Sequence, residues 1–201
     1  MGSVGVAFGN VYITEWMYNS VSTGGEFVEI TNTGASAIDL TGWSFDDDSR
    51  TAGSFSLSSI GILAAGASAL ITEASDADFR LNWGLSNAVQ IVGTNTVNLG
   101  RSDEINIFDA SNALVDRLTF SDVNIPGSIR TAGISGNALP ADLGTNNVIN
   151  WFLSASGDSL GSYFSTTQDL GNPGSYAPVP EPATLAALGL GAMALIRRKR
   201  K

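Results

Sequence analysis

From Val11 to Phe120 the chain runs in short stretches of alternating apolar and polar residues, separated by clusters rich in Gly, Asn, Ser and Asp. Alternation of period two places successive side chains on opposite faces of an extended strand, and stretches this short are too brief for amphipathic helices. Val11–Trp16, Glu26–Asn32, Ile38–Phe45, Ser54–Leu57, Ala67–Thr72, Val89–Val92, Glu104–Asp109 and Leu114–Phe120 read as strands. About eight strands at this spacing predict an all-β sandwich. Asp109-Ala110-Ser111-Asn112-Ala113 is the clearest hairpin turn, because Asp, Ser and Asn bond their own backbone and Asn tolerates a left-handed conformation. Glu73–Trp83 has room for one short helix, with Phe79 and Trp83 turned inward.

Face assignments follow from the same alternation. In Glu26–Asn32, Val28 and Ile30 make the better core face, which leaves Phe27, Glu29 and Thr31 opposite and places Glu29 and Thr31 in solvent. Trp43 is the expected core anchor and Trp151 a second one, each within an apolar run. Trp16 and Trp83 lie in more polar surroundings and are the candidates for stacking on a carbohydrate. After Asp122 the periodicity fades. Residues 123–178 read as a long excursion that lays Trp151 and Phe152 on the sandwich and leads through Gly171–Tyr176 into a proline-rich linker.

Charge and composition exclude whole classes of function. Residues 1–178 hold five Arg, no Lys and eighteen carboxylates, a net charge of −13. Such a surface repels nucleic acid and anionic lipid, so no nucleic-acid partner is expected. The chain has no Cys and no His. It therefore lacks disulfides, thiolate metal ligands, and the commonest general base and zinc ligand.

The candidate chemical sites are correspondingly few. Gly157-Asp158-Ser159-Leu160 matches a short esterase motif, but a nucleophilic serine needs a base that a chain without histidine does not supply in that family. Asp46, Asp47 and Asp48 are the candidate calcium ligands, although a calcium ion wants six to eight oxygens and the spacing is not that of an EF-hand. Asp76 with Asp78, and Asp103 with Glu104, are weaker versions of the same idea. A solvated loop is the expected state of Asp46–Asp48. Glu15, Glu26 and Glu29 invite comparison with the paired carboxylates of glycoside hydrolysis, but read as edge and turn positions of a sandwich. No catalytic residue is expected.

The C-terminal stretch carries a different kind of information. Val179, Pro180, Glu181 and Pro182 precede an uncharged run, Ala183–Ile196, whose apolar side chains include Leu185, Leu188, Leu190, Met193, Leu195 and Ile196. Arg197, Arg198, Lys199, Arg200 and Lys201 follow directly. As a helix the run would be about 21 Å long against a hydrocarbon core of roughly 30 Å, short for a permanent span. Pro182 suits a first helical position, and Glu181 the positive end of the helix dipole. An apolar helix with a basic stop is expected to engage a membrane transiently.

These residues resemble the PEP-CTERM sorting tail, in which the Pro-Glu-Pro motif, a Leu/Gly/Ala helix and a basic end occur in fixed order. The resemblance implies a bacterial exported protein, held briefly at the inner membrane and processed by an exosortase-type peptidase. Pro180, Glu181 and Pro182 would carry recognition and Arg197–Lys201 the cytoplasmic stop. Export also requires an N-terminal signal, and residues 1–9 are expected to be the remnant of one, since Met1–Phe8 is mildly apolar but has no cation.

A second resemblance spans residues 10–176. Tyr12–Asn19, Gly25–Ile30 and Ile38–Trp43 resemble the opening of a lamin-tail (LTD) domain, and Asp103–Phe108 with Leu114-Val115-Asp116 resembles its following hairpin. Ser128-Ile129-Arg130, Trp151 and Pro173-Gly174 resemble its closing elements. The family implies an immunoglobulin-like β-sandwich and a non-enzymatic module of an exported protein. The chain is thus expected to be a surface or matrix protein with a sandwich at 10–176 and a sorting signal with a short transmembrane helix at 177–201. Adhesion or binding to other surface proteins is its expected role, and a carbohydrate- or calcium-binding module on exopolysaccharide the alternative.

Overall fold

The computed structural model describes residues 11–21 and 25–176. In chain order the strands are β1 (Val11–Met17), β2 (Phe27–Asn32), β3 (Ile38–Asp39), β4 (Ser44–Asp46), β5 (Phe55–Ser56), β6 (Ile62–Leu63) and β7 (Ser68–Thr72). One helix, α1 (Asp76–Trp83), follows, and then β8 (Gln90–Val92), β9 (Ser102–Phe108) and β10 (Leu114–Ser121). Short strands complete the set: β11 (Gly136–Asn137), β12 (Phe152–Leu153), β13 (Tyr163–Phe164) and β14 (Leu170–Gly171). A six-stranded sheet runs β12-β11-β1-β2-β7-β8, and a four-stranded sheet runs β10-β9-β4-β5. The pairings are antiparallel except β7 with β8.

The core joins the two sheets. Val11, Ile13, Trp16, Val28, Ile30, Ala69 and Ile71 of the large sheet belong to the same buried cluster as Phe45, Ile105, Ile107, Leu118 and Phe120 of the small one. The architecture is therefore that of an all-β sandwich with one short helix. The β9–β10 hairpin turns where the sequence places it: Asp109 Oδ1 accepts from the backbone of Ser111 and Ala113, and Asn112 takes φ 64°.

Several expectations change. Trp43 is only half-buried, whereas Trp16 is fully enclosed with its ring centroid 3.9 Å from that of Phe120. The cause is a bulge in β1 between Ile13 and Glu15, which shifts the alternation so that Trp16 points into the sandwich and Glu15 away from it. Trp83 is buried as well, on α1, as its inward position in the helix predicts. Neither Trp16 nor Trp83 is available to stack on a sugar. Ile38–Phe45 is two strands in different sheets, because a turn through Gly42 at φ 81° separates them. Asp46 does not sit in a solvated loop. It ends β4, is buried, and accepts from Ser49 Oγ at 2.7 Å and Thr51 N at 2.5 Å.

The excursion after Asp122 is a structural part of the sandwich. Its strands β11 and β12 extend the large sheet beyond β1, and Trp151 is buried there, as expected. Its last part returns as the β13–β14 hairpin and the segment 169–176, over the face of the large sheet that points away from the small sheet. Helix α1 covers the same face. Met17, Phe27 and Leu70 pack there against Phe79 and Trp83. Hence both faces of β2 are buried, and the expectation that Glu29 and Thr31 meet solvent is wrong. Alternation identifies two faces of a strand; it does not reveal that a third layer covers the second one.

Among the described residues no helix is long and apolar enough to cross a membrane. The sorting motif Val179–Pro182, the run Ala183–Ile196, the basic end Arg197–Lys201 and residues 1–9 lie outside the described residues.

Candidate functional site

The most unusual chemistry of the body lies on the covered face of the large sheet. Glu15 and Glu29 are direct cross-strand partners in the β1–β2 ladder, and both are completely buried. Directly opposed residues hold their Cβ atoms about 4.5–5.5 Å apart, so two carboxyl groups share one small volume. Polar groups surround them. Glu29 Oε1 accepts from Thr14 Oγ at 2.6 Å, and Thr14 Oγ contacts Thr31 Oγ at 2.8 Å, which in turn contacts Ser68 Oγ at 2.7 Å. Glu15 Oε1 accepts from Ser135 Oγ, which is linked to Ser154 Oγ at 2.8 Å.

The C-terminal segment closes the site from the other side. The Asn172 backbone N–H donates to Glu15 Oε1 at 2.8 Å, and the Gly174 N–H donates to Glu29 Oε2 at 2.7 Å. Two glycines make this approach possible. A Cβ on Gly171 would stand 2.8 Å from Glu15 Oε1, and Gly174 takes φ 92°. Asp169 anchors the start of the segment by accepting from Ser20 Oγ at 2.6 Å and Val21 N at 2.7 Å. Tyr163 donates its hydroxyl to the Trp83 carbonyl at 2.9 Å and meets the Trp83 ring edge-on.

Burial pushes both carboxyl groups toward their neutral forms. Glu29 is raised to about 7 by desolvation, against the hydrogen bonds that favour its anion. Glu15 is raised well above the usual glutamate range, by desolvation first and by the proximity of Glu29 second. Glu26, buried at the entrance to β2 with both oxygens 3.0 Å from the Leu99 N–H, is raised to about 9 for the same leading reason.

None of the body's cations relieves this. Arg50 grips Glu104 through Nε and Nη2 at 2.6 Å each, and Arg117 approaches the same carboxylate at 3.6 Å. Arg101 grips Asp122 at 2.6 and 2.9 Å, with Arg130 at 3.8 Å. Arg80, on α1, donates to the carbonyls of Ser86 and Val89. Glu104 is the electrostatic opposite of Glu15: the Arg50 hydrogen bonds hold it down at about 2.

Around Glu104 an open groove of about 400 Å³ is lined by Asp48, Arg50, Asp103, Glu104, Thr119 and Asn124, among others. Of the three calcium candidates only Asp48 reaches it. Asp46 is turned into its own loop, and Asp47 Oδ1 accepts from Ser49 N at 3.0 Å. Among the described residues no group of three or more acidic side chains gathers as a metal site would require. Ser159 of the esterase-like motif is exposed, and Asp158 beside it accepts from the backbone of Ala155, Leu160 and Ser162, which fixes a turn. Sequence reasoning noticed Glu15 and Glu29 but missed their pairing. The one signal available was that both lie in strands read as neighbours.

Comparison with known families now adds to the geometry. The family model of the Lamin Tail Domain matches residues 6–122, more than half of the chain. The chain belongs to the lamin tail domain family. The match covers β1 through β10 and includes both Glu15 and Glu29, whereas the lamin-tail-like closing elements at 128–130, Trp151 and 173–174 lie beyond it. A second model, the PEP-CTERM protein-sorting motif, matches residues 178–201. That motif indicates an exported protein, directed to the cell envelope or surface and recognised by an exosortase during processing. Both matched domains are of non-catalytic kinds. No curated protein matches the chain.

Proposed function

We propose that this chain is a non-enzymatic surface or extracellular-matrix protein, in which a lamin tail sandwich is delivered by its sorting tail and binds partners through its loops and sheet edges. The observation that carries this reading is the presence of a lamin tail domain and a PEP-CTERM motif in one chain. The state of the carboxyl groups supports it. Glu15 and Glu29 are sealed away from any substrate, and Glu104 is committed to arginines, so none of these three is free to act as a general acid or base. The proposed organisation is the sandwich at 10–176 and the sorting signal at 177–201. Ala183–Ile196 would hold the protein at the inner membrane until exosortase acts near Pro180–Pro182, with Arg197–Lys201 as the stop.

Intact-mass measurement of the mature protein from its host tests this directly. The expected mass lacks the residues that follow the Pro-Glu-Pro motif. A mass that retains Ala183–Lys201 overturns the processing step.

A second reading, binding of exopolysaccharide, is favoured by the groove beside Glu104, whose hydroxyl, amide and paired-ion lining suits sugar hydroxyls. Titration calorimetry with host exopolysaccharide, repeated on Arg50→Ala, separates it from the first. No heat with the unaltered protein removes it.

A further inference from the structure

Two buried oxygens in the Glu15 site have no hydrogen-bond partner: Glu15 Oε2 and Asn172 Oδ1. They belong to residues already joined, since the Asn172 N–H donates to the other oxygen of Glu15. A buried carboxylate oxygen and a buried amide oxygen are both acceptors, and leaving both bare is costly. One proton removes both defects. Placed on Glu15 Oε2, it converts that atom into a donor in a site that holds a vacant acceptor. Glu29 needs no such proton, because its oxygens already accept from Thr14 Oγ, Gly174 N–H and, at 3.4 Å, Thr31 Oγ.

The geometry points to a proton-operated latch in which a neutral Glu15, bonded to the Asn172 side chain and paired with Glu29, clamps segment 169–176 onto the sandwich and releases it on losing its proton. The clamped segment is the last one before the sorting motif at 178–201, so the latch sets how far the folded body stands from its tail. With Glu29 ionised and Glu15 neutral, the site holds a single negative charge solvated by backbone and hydroxyl donors. Ionising Glu15 as well places two anions on one cross-strand pair with no cation at hand among the described residues. Water must then enter, and the easiest path is to lift the strap, which donates to the pair through the backbone of Asn172, Gly174 and Ser175. Burial agrees, since desolvation raises both acids above the ordinary glutamate range and each raises the other's cost of ionising.

The neighbouring charges work in the same direction. Asp158, in the loop before β13, acts on Glu15 as a second repelling acid. Tyr163 on β13 and Tyr176 at the end of the strap face the pair and are themselves raised, Tyr176 to about 12, so they stay neutral in the range where the latch opens. Asp169 is occupied by Ser20 and Val21, and Arg80 of α1 by carbonyl groups.

Hydrogen exchange of the full chain tests the latch, read at the amides of Asn172 and Gly174 and corrected for the intrinsic pH dependence of exchange. Between about pH 6 and about pH 9, protection there should fall about tenfold or more, while the amides of Ile105 and Leu118 in the β9–β10 hairpin hold theirs. Glu15→Gln supplies a neutral donor of the same shape and should keep the strap protected across the range. Glu29→Gln, which removes the repelling partner, leaves an ionised Glu15 as a single charge and should make the loss smaller. Protection in the unaltered protein that does not change with pH overturns the proposal. So does a Glu15→Gln variant that loses protection as the unaltered protein does, or a loss that β9 and β10 share. Strap protection at about pH 9 that vanishes on chelating divalent cations also overturns it, because a metal ion rather than a proton would then neutralise the pair.

Discussion

Two buried carboxyl sites, Glu104 on β9 and the Glu15–Glu29 pair on β1 and β2, are held by opposite means. At the rim of the small sheet, Glu104 is kept ionised by Arg50 and Arg117 and lies at about 2. On the covered face of the large sheet, Glu15 and Glu29 have hydroxyl and N–H donors but no cation, and both are raised. The difference follows from supply. The body has five arginines for eighteen carboxylates, and the structure spends all five elsewhere. An acid that is buried without a cation is accommodated by a proton instead. The comparison teaches that in a cation-poor chain, burial of an acid is itself a commitment to pH dependence.

Truncation should show the largest contrast. Glu29→Ala leaves a cavity and strands the Gly174 N–H and the Thr14 hydroxyl in a sealed site, which is expected to cost about 2–4 kcal/mol in urea unfolding near neutral pH. Glu104→Ala frees Arg50, whose side chain is 55% exposed and can turn to water, so a smaller loss is expected. Equal losses from the two variants would erase the distinction drawn here.

Next in size is the dependence on pH, where the two regions have opposite signs. Groups raised in the folded state contribute stability that is fully present below the ordinary glutamate value of 4.5 and is lost as pH climbs through the folded values, about 7 for Glu29 and about 9 for Glu26. Glu104, depressed, contributes stability present above 4.5 and lost as pH falls toward about 2. Urea midpoints should therefore be highest near pH 5 and decline on both sides, with slopes on the order of 1.4 kcal/mol per pH unit for each proton by which the states differ. Glu26→Gln should flatten the alkaline limb and leave the acid limb unchanged. An alkaline limb that is already flat in the unaltered protein would contradict the raised values.

The smallest effect should come from salt. Raising sodium chloride to about 1 M screens Arg101 and Arg50, both half-exposed, and should lower the melting temperature slightly near pH 7. The same salt should leave the Glu15–Glu29 pair alone, so Glu15→Gln should show the same slight shift. A large salt response in one and not the other would mean that ions reach the sealed pair.

The sequence alone determined much of this protein. Period-two alternation located β1, β2, β7, β8, β9 and β10 close to their true bounds, turn chemistry placed the hairpin at Asp109–Ala113, and helix periodicity turned Phe79 and Trp83 inward. The two family likenesses were also legible in it. These are local properties, decided by neighbours within a few residues. Tertiary structure decided the rest. A single bulge after Ile13 exchanged the fates of Glu15 and Trp16, and no pattern in Tyr12–Asn19 announces a bulge. Glu29 reads as a solvent-facing residue because alternation is blind to a segment arriving from 145 residues away, yet the Gly174 N–H is what seals it. The pairing of Glu15 with Glu29, and the strap that binds the pair, arise from contacts far apart in the chain. Such contacts depend on where the whole backbone has gone, and no short stretch of sequence carries that information.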